Sequence, residues 1–174
     1  IYAESLERTF FDEKIFPGLI ENLKNLEKKS ISFQGIRQAP MTDWTIAGMV
    51  ASQCGIPLTV SSKGNSLNGT DEFLSNTQCI GDILKANQYN LSYLGGEPLS
   101  FAGKGAFYKT HGFGAENVYG TDELLKLTKE TLPKSSWGVY DNDLYNFIKK
   151  EYQILSAKPQ PFALFASTLD THHP

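Results

Sequence analysis

The sequence predicts an α/β fold with a largely parallel sheet and helices on both faces. Along the whole chain, short apolar, strand-like segments alternate with segments whose apolar residues recur at helical spacing. The run PFALFASTL (161–169) is continuously apolar, which is typical of a strand buried on both faces. With 174 residues, 40% of them hydrophobic, the chain is long enough to form one domain with its own core.

Local signals place the individual elements along the chain. Pro17 and the apolar residues that follow it at helical spacing predict a helix within 16–30. A short apolar helix is expected at 42–53, ended by Gly55 and Pro57. An amphipathic helix is expected at 141–155, capped by Asp141. The other predicted elements are strands at 1–5, 31–36 and 90–96, helices at 79–88 and 121–132, a short helix or turn at 101–112, and a polar loop at 61–77.

Charge and cysteine content exclude several classes of function. The net charge is −3 and the lysines and glutamates are mixed, so nothing indicates nucleic-acid binding. The apolar runs are shorter than the roughly 20 residues that a membrane-spanning helix needs. The two cysteines, Cys54 and Cys79, match neither a zinc signature nor a redox CxxC motif. Both ends of the chain are apolar and strand-like, so we expect a piece of a longer protein.

Polar side chains lie where a parallel sheet concentrates function, at the carboxyl ends of its strands. These side chains are Glu4, the loop that leads to Thr42, and the segment 170–173 with His172. Carboxylate, hydroxyl and imidazole groups are ligands for Mg²⁺ or Mn²⁺, and such an ion makes a threonine hydroxyl competent as a nucleophile. Lys104, in the Gly-flanked turn AGKGAF, has the charge to hold a phosphate.

Each of these residues also has a purely structural interpretation. Glu4 at a strand end could cap a neighbouring loop, and Thr42 could be an ordinary helix N-cap worth about 1 kcal/mol. His172 and His173 could be exposed imidazoles near the end of the chain. Spacing alone does not establish that these groups converge.

Six segments occur in the order seen in the periplasmic phosphoglycerol transferases, and the chain resembles that family over essentially its whole length. The segments are IYAESLERTFFD, TDWTIAGMVASQCGIPL, CIGDIL, SFAGKGAFYKTHGF, WGVYD and DTHHP. More distantly, the chain is similar to lipoteichoic acid synthase, within the sulfatase branch of the alkaline phosphatase superfamily. The resemblance implies an alkaline phosphatase/sulfatase-like fold, with residues 1–174 as the N-terminal part of the catalytic domain and the membrane anchor and C-terminal part absent.

The resemblance also implies a reaction and its location. A metal-bound threonine attacks the phosphate of phosphatidylglycerol and releases diacylglycerol, and a hydroxyl of an osmoregulated periplasmic glucan then takes the phosphoglycerol group. The implied cofactor is a divalent metal, with Mn²⁺ preferred over Mg²⁺ or Zn²⁺. The implied location is the periplasmic face of the inner membrane of a Gram-negative bacterium, with contact to the membrane surface through the absent anchor.

For the metal and the nucleophile, the resemblance points to Glu4 and to one of two threonines. Glu4 matches the acidic metal ligand at the end of the first strand. An ungapped match to the synthase pattern, anchored on the segment 55–57, places the nucleophile, also a metal ligand, at Thr42 and leaves a second hydroxyl at Thr45. Thr42 is therefore the predicted nucleophile and Thr45 the alternative.

For the substrate, the resemblance points to Lys104, His172 and Phe101. Lys104 stands where the synthase pattern has an arginine, and a lysine keeps the charge but loses the bidentate fork. The tryptophan of that pattern aligns with Ala102, so we expect the adjacent Phe101 to replace it. His172 matches a histidine that contacts the substrate phosphate. Trp137 and Asp141 also match a family pattern, although a core tryptophan and a helix cap explain them equally well.

Two further expectations follow from the resemblance. A periplasmic location makes a Cys54–Cys79 disulfide plausible. The family completes its metal site with an Asp–His pair that lies downstream of the THHP segment, so we expect these 174 residues alone to bind metal poorly and to turn over little. The alternatives are a sulfatase- or phosphodiesterase-type hydrolase, a phosphoethanolamine transferase, and a non-catalytic module that binds headgroups or glucans.

Overall fold

The computed structural model describes residues 1–60, 66–128 and 131–172. Within these ranges the chain contains both helices and strands, as the sequence predicts, but three helices precede the first strand. The helices are α1 (Glu21–Glu27), α2 (Thr45–Cys54), α3 (Ile80–Ala86), α4 (Lys104–Thr110), α5 (Thr121–Lys126) and α6 (Asp141–Ser156). The strands are β1 (Asn90–Gly95), β2 (Val118–Tyr119) and β3 (Phe162–Ser167). Short 3-10 turns lie at Arg8–Phe11, Phe101–Gly103 and Ala115–Asn117.

The three strands form a parallel sheet in the order β2-β1-β3. The central strand β1 pairs along its whole length with β3, from Asn90 opposite Phe162 to Gly95 opposite Ser167. On the far side of β3, Tyr2 forms a parallel bridge with Ser167. The parallel sheet is therefore confirmed, and the strand predicted at 1–5 is reduced to this bridge.

Helices cover both faces of the sheet. Successive residues of β1 point to opposite faces, so each face has side chains that pack against helices. Tyr93 packs with Ile46 of α2 and Phe107 of α4 in one buried core. Leu94 packs with residues of α5 and α6, including Leu144, in a second core. The predicted α/β architecture with helices on both faces is confirmed.

The amino-terminal segment departs most from the sequence prediction. The strand predicted at 31–36 is wrong: this stretch is irregular, and Ile31 and Phe33 are 87% and 76% exposed. The helix predicted within 16–30 is limited to α1, and Leu26 is 60% exposed. Within the part of the chain that the structure describes, no other element buries these apolar residues. The strand and the longer helix predicted from them therefore do not form.

Three smaller corrections concern element ends. The backbone is extended at Trp44, so α2 begins at Thr45 and not at residue 42. Asp141 is the first residue of α6 and not its cap, because Tyr140 occupies the cap position. The amino-terminal residues of β3 are only partly buried and not enclosed on both faces. None of the helices in the described ranges has the length and apolar character of a membrane span.

Candidate active site

A cavity of about 280 Å³ lies at the carboxyl edge of the sheet, the edge at which the sequence predicts the functional groups. The chain reaches it at the amino-terminal bridge, at the start of α2, just after β1 and just after β3. The lining residues are Glu4, Thr45, Glu97, Pro98, Phe101, Lys104, Ser136, Trp137, Leu169 and His172. The predicted residues Glu4, Phe101, Lys104 and His172 are thus brought together.

Glu4 and Thr45 are in direct contact at this cavity. The bridge at Tyr2 brings the amino terminus beside β3, and the amide of Glu4 donates to Oγ1 of Thr168 at 3.2 Å. The hydroxyl of Thr45, the first residue of α2, donates to Oε2 of Glu4 at 2.7 Å. The carboxylate and the hydroxyl therefore form one unit although 41 residues separate them.

Thr42 lies near this pair, but its hydroxyl is engaged elsewhere. Its Oγ1 donates to the carbonyl oxygen of Ala39 at 2.7 Å, within the turn that precedes α2. Together with Glu4 and Thr45, Thr42 lines a neighbouring cavity of about 460 Å³. The structure thus places both threonines close to Glu4, and only Thr45 bonds to its carboxylate.

A buried ion pair forms the floor of the cavity. The Nζ of Lys104 donates to Oε1 of Glu97 at 2.6 Å, and both side chains are 3% exposed. The hydroxyl of Tyr93 donates to the same oxygen at 2.8 Å. Burial, followed by the negative charge of Glu97, raises the pKa of Tyr93 well above its usual value of 10.0, so this hydroxyl remains a donor. The charge of Lys104 is therefore largely neutralised inside the protein.

The second carboxylate oxygen of Glu97 is buried without a hydrogen-bond partner among the described residues. An unpaired carboxylate oxygen out of water costs free energy unless a ligand or water satisfies it. Glu97 lies two residues after the end of β1 and lines the cavity.

A left-handed turn carries Lys104 into the cavity wall. Ala102 and Gly103 have φ values of +53° and +70°, and α4 begins at the next residue. A Cβ on Gly103 would lie 3.0 Å from the carbonyl oxygen of Leu67, so this position favours glycine. The turn also leaves Phe101 in the cavity wall, with the Nζ of Lys104 at 5.5 Å from its ring centroid.

Aromatic side chains form another part of the cavity lining. Trp137 makes an edge contact with Phe101, with ring centroids 6.0 Å apart, and packs against His172, with centroids 4.3 Å apart. The Nε1 of Trp137 is buried and has no acceptor within the described residues. The cavity lining therefore includes an unpaired hydrogen-bond donor in addition to the acceptor of Glu97.

Close backbone packing holds the loop of Trp137 against the end of β1. The amide of Val139 donates to the carbonyl of Gly96 at 2.9 Å, and the hydroxyl of Thr121 donates to the same oxygen at 2.5 Å. Gly138 has a φ of +148°, and a Cβ there would lie 2.0 Å from that oxygen. A side chain at position 138 would therefore push Trp137 out of the cavity wall.

Asp141 positions the segment that carries His172. Its carboxylate accepts from the amides of Leu169 at 2.7 Å and Asp170 at 3.1 Å. The amide of His172 then donates to the carbonyl of Leu169 at 2.8 Å. Partial burial is the main cause that raises the pKa of Asp141 above its usual 3.8. His173 lies outside the described residues.

A disulfide joins Cys54 to Cys79, residues 25 positions apart. Cys54 is the last residue of α2, and Cys79 comes directly before α3. The disulfide thus ties the helix that begins at Thr45 to its neighbour. His111 lies beside the two sulfurs in a cluster of potential metal ligands, but sulfurs bonded to each other are not thiolate ligands.

The oxygen atoms of Glu4 and Thr45 are hard donors of the kind that Mg²⁺ and Mn²⁺ prefer. Their separation of 2.7 Å allows both to contact one ion. Such an ion takes about six ligands, so these two oxygens supply only part of its coordination. The pair therefore fits one side of a divalent-metal site.

Comparison with known proteins shows the family and the fold of this chain. The family model described as Sulfatase matches residues 1–174. The chain belongs to the sulfatase family. A solved structure of an alkaline phosphatase superfamily protein from Vibrio parahaemolyticus is similar to this sulfatase-family chain, with a TM-score of 0.70 and 25% identity. The match covers 99% of this chain and 40% of that protein.

Curated relatives of this sulfatase-family chain include two enzymes named phosphoglycerol transferase I. They come from Escherichia coli O6:K15:H31 (strain 536 / UPEC) and Salmonella choleraesuis (strain SC-B67), and each is 44% identical over 174 residues. The match covers 100% of this chain and 22% of either relative, so the chain spans about a fifth of their length. The resemblance to this family and its fold, which the sequence indicates, is thereby confirmed.

Three residues that line this cavity are missing from, or placed second in, the prediction from sequence. Thr45 is only the alternative to Thr42 as the nucleophile predicted from sequence, because an ungapped alignment does not show where α2 begins. Glu97 is not singled out at all, although a carboxylate directly after the apolar strand NLSYLGG is the same signal that identifies Glu4. Trp137 is attributed to the core, and its contacts with Phe101 and His172 show that it lines the cavity.

Proposed function

We propose that this chain provides the nucleophile and substrate groups of a metal-dependent phosphoglycerol transferase. The donor is phosphatidylglycerol, the acceptor is a hydroxyl of a periplasmic glucan, and the reaction takes place at the periplasmic face of the inner membrane. The observation that carries the proposal is the 2.7 Å hydrogen bond from Thr45 to Glu4 inside a cavity that Lys104, Trp137 and His172 also line. The relatives named phosphoglycerol transferase I support the choice of group transferred.

Thr45 is the proposed nucleophile, in preference to Thr42. The Thr45 hydroxyl points its proton at Oε2 of Glu4, so its oxygen can face a phosphorus atom in the cavity. The Thr42 hydroxyl would first have to break its hydrogen bond to Ala39. A divalent metal bound by Glu4 and Thr45, Mn²⁺ in our proposal, would lower the pKa of the hydroxyl and offset charge on the phosphate.

The transfer takes place in two displacements. Thr45 Oγ1 forms a bond to phosphorus, its proton passes first towards Glu4, and the phosphorus–oxygen bond to diacylglycerol breaks as that alcohol leaves with a proton. A glucan hydroxyl then attacks the phosphothreonine, loses its proton, and restores the Thr45 hydroxyl. In this proposal, His172 and the N–H donors of Lys104 that Glu97 does not use hydrogen-bond phosphate oxygens, which their position in the cavity lining supports.

Recognition of the glycerol group is assigned to the two unpaired atoms of the cavity. Glu97 Oε2 would accept a hydrogen bond from one glycerol hydroxyl, and Trp137 Nε1 would donate one to the other. Binding of a diol would satisfy both buried groups, whereas the ammonium of phosphoethanolamine could donate to Glu97 Oε2 but has no acceptor for the N–H of Trp137. This complementarity favours phosphoglycerol over phosphoethanolamine.

The test is transfer kinetics in the whole protein with a soluble phosphatidylglycerol analogue, Mn²⁺ and a glucan acceptor. We expect Thr45→Ala to lower the rate of diacylglycerol release by about a thousandfold or more, because a covalent nucleophile is lost. The matched variant Thr42→Ala should stay within about threefold of the wild type. The reverse ranking would move the nucleophile to Thr42, and equal activity of all three proteins would overturn the threonine mechanism.

Product analysis in the same assay identifies the acceptor. Phosphoglycerol attached to the glucan supports the transferase. Release of glycerol phosphate to water alone, with the glucan unmodified, would instead identify a hydrolase of the phosphodiesterase type.

A further inference from the structure

A histidine and an aspartate lie in series beside the Cys79 sulfur of the disulfide, away from the cavity residues. His111 Nδ1 lies 2.8 Å from Oδ2 of Asp82, and His111 Nε2 lies 3.6 Å from Sγ of Cys79. His111 is 2% exposed and Cys79 is 1% exposed. The proposed transfer reaction uses none of these groups.

The neighbours of His111 determine which of its nitrogen atoms faces the sulfur. The carboxylate of Asp82 can only accept, so the Nδ1 that it contacts carries a hydrogen. In the neutral imidazole, Nε2 is then a proton acceptor, and it is directed at Cys79. A disulfide sulfur has no hydrogen to give, whereas a thiol has one. The arrangement is therefore complementary to the reduced form of Cys79.

The two sulfurs differ in access. Cys54 is partly exposed at the end of α2, whereas Cys79 is buried. An external thiolate can therefore reach Cys54, and the bond that breaks expels Cys79 as the leaving group. Exchange is faster when the leaving thiolate is stabilised, and an imidazolium beside a thiolate provides that stabilisation.

We propose that Cys54–Cys79 is a redox-active disulfide that exchanges with an external dithiol, and that His111 and Asp82 assist the departure of Cys79. The first thiol of the partner loses its proton to water and its sulfur bonds to Cys54 Sγ, while His111 Nε2 takes up one proton from water. The sulfur–sulfur bond breaks, and its electron pair leaves on Cys79 as a thiolate paired with the imidazolium. The second thiol then attacks the partner's own sulfur and releases Cys54, which takes the second proton. The dithiol is oxidised and the protein disulfide is reduced.

The exchange would act on the helix that carries Thr45. Cys54 is the last residue of α2, so cleavage removes the covalent tie between α2 and the chain before α3. The inference on redox activity stands without the proposed transferase function, because none of its residues lines the cavity.

The first test is the rate at which dithiothreitol reduces the disulfide in the whole protein, followed by release of thiols. We expect His111→Gln to slow the reaction by about tenfold, because Cys79 loses its stabilising partner. Asp82→Asn, whose parent side chain is 31% exposed, should slow it by about threefold. In concentrated urea the three proteins should react at the same rate.

If His111 had only a structural role, its replacement would change the rate of disulfide reduction in the opposite direction. Loss of a buried side chain would loosen the packing and expose the disulfide, so reduction under native conditions would become faster. An unchanged or faster rate in Asp82→Asn, the milder variant, would overturn the proposal even if His111→Gln does not fold.

The second test needs no variant. The native protein is treated with a small monothiol, acid-quenched, and analysed by peptide mapping for the mixed disulfide. The proposal predicts the monothiol on Cys54, with Cys79 as a thiol. A mixed disulfide on Cys79 would overturn it.

Discussion

The strand-end cavity and the amino-terminal segment 12–41 present opposite combinations of side chain and environment. In the cavity, charged groups such as Glu97 and Lys104 are 3% exposed and paired. In the segment, apolar groups such as Ile31 and Ile36 are 87% and 79% exposed. The cavity is therefore held by packing within the described residues, whereas the segment gains little stability from them. Substitutions of the same type should therefore have very different effects in the two regions.

The largest difference is expected for phenylalanine truncation. Phe107→Ala, at a site that is 0% exposed, should lower the free energy of unfolding by about 4 kcal/mol, since it removes a core ring and leaves a cavity. Phe33→Ala, at a site that is 76% exposed, is the matched control and should change it by less than about 0.5 kcal/mol. Urea denaturation measures both. Similar losses in the two variants would show that the segment is buried in solution and would remove the contrast.

A second contrast concerns the two types of ion pair. Lys104→Met should lower the free energy of unfolding by about 3 kcal/mol, because the buried carboxylate of Glu97 loses its counterion. The double variant Lys104→Met with Glu97→Gln should recover much of that loss, since no buried charge remains. Lys24→Met, which breaks the pair with Glu13 in the exposed segment, should have no measurable effect.

Denaturation midpoints of these three variants, together with wild type, are the measurement. If the double variant is less stable than Lys104→Met alone, the unpaired charge of Glu97 is not the cause of the lost free energy of unfolding.

These two contrasts explain how much of the molecule could be predicted from its sequence. The apolar runs of β1 and β3 and the periodicity of α6 are local signals. In the packed part of the chain, the predicted strands and helix form. The apolar stretch at 31–36 carries the same kind of signal, but a strand forms only where another strand pairs with it, and no local pattern reveals that. The same limitation explains why Leu26 is exposed on α1.

The candidate site shows the same division. Glu4, Lys104 and His172 could be predicted because they lie at strand ends or in a glycine-rich turn, and such positions converge at one edge of a parallel sheet. The register of α2 could not be predicted, and a shift of three residues in its start decides whether Thr42 or Thr45 meets Glu4. The pairing of Lys104 with Glu97 depends on the left-handed turn at Ala102, which the sequence pattern does not specify.

The smallest effect is expected for the titration of Asp141, which supports the segment of His172. Its pKa in the folded protein is raised above 3.8, mainly by burial. Between the unfolded and folded pKa values the folded state therefore holds the proton more tightly. The stability that Asp141 contributes is fully present below the unfolded pKa and is lost as the pH rises through the folded pKa.

An NMR titration of the Asp141 carboxyl carbon measures this directly, with Asp143 on the same helix as an internal reference. A midpoint above 3.8 for Asp141 is the expected result. A midpoint below 3.8 would show that the two backbone hydrogen bonds from Leu169 and Asp170 outweigh burial.

The central claim is that Thr45, held by Glu4, is the residue that becomes phosphorylated, and trapping the covalent adduct tests it most directly. The whole protein is incubated with Mn²⁺ and a soluble phosphatidylglycerol analogue without acceptor, quenched in acid, and analysed by intact mass and peptide fragmentation. We expect a single glycerol-phosphate adduct on Thr45, present in Thr42→Ala and absent in Thr45→Ala. An adduct on Thr42 in the wild-type protein, or one that persists in Thr45→Ala, would contradict the account.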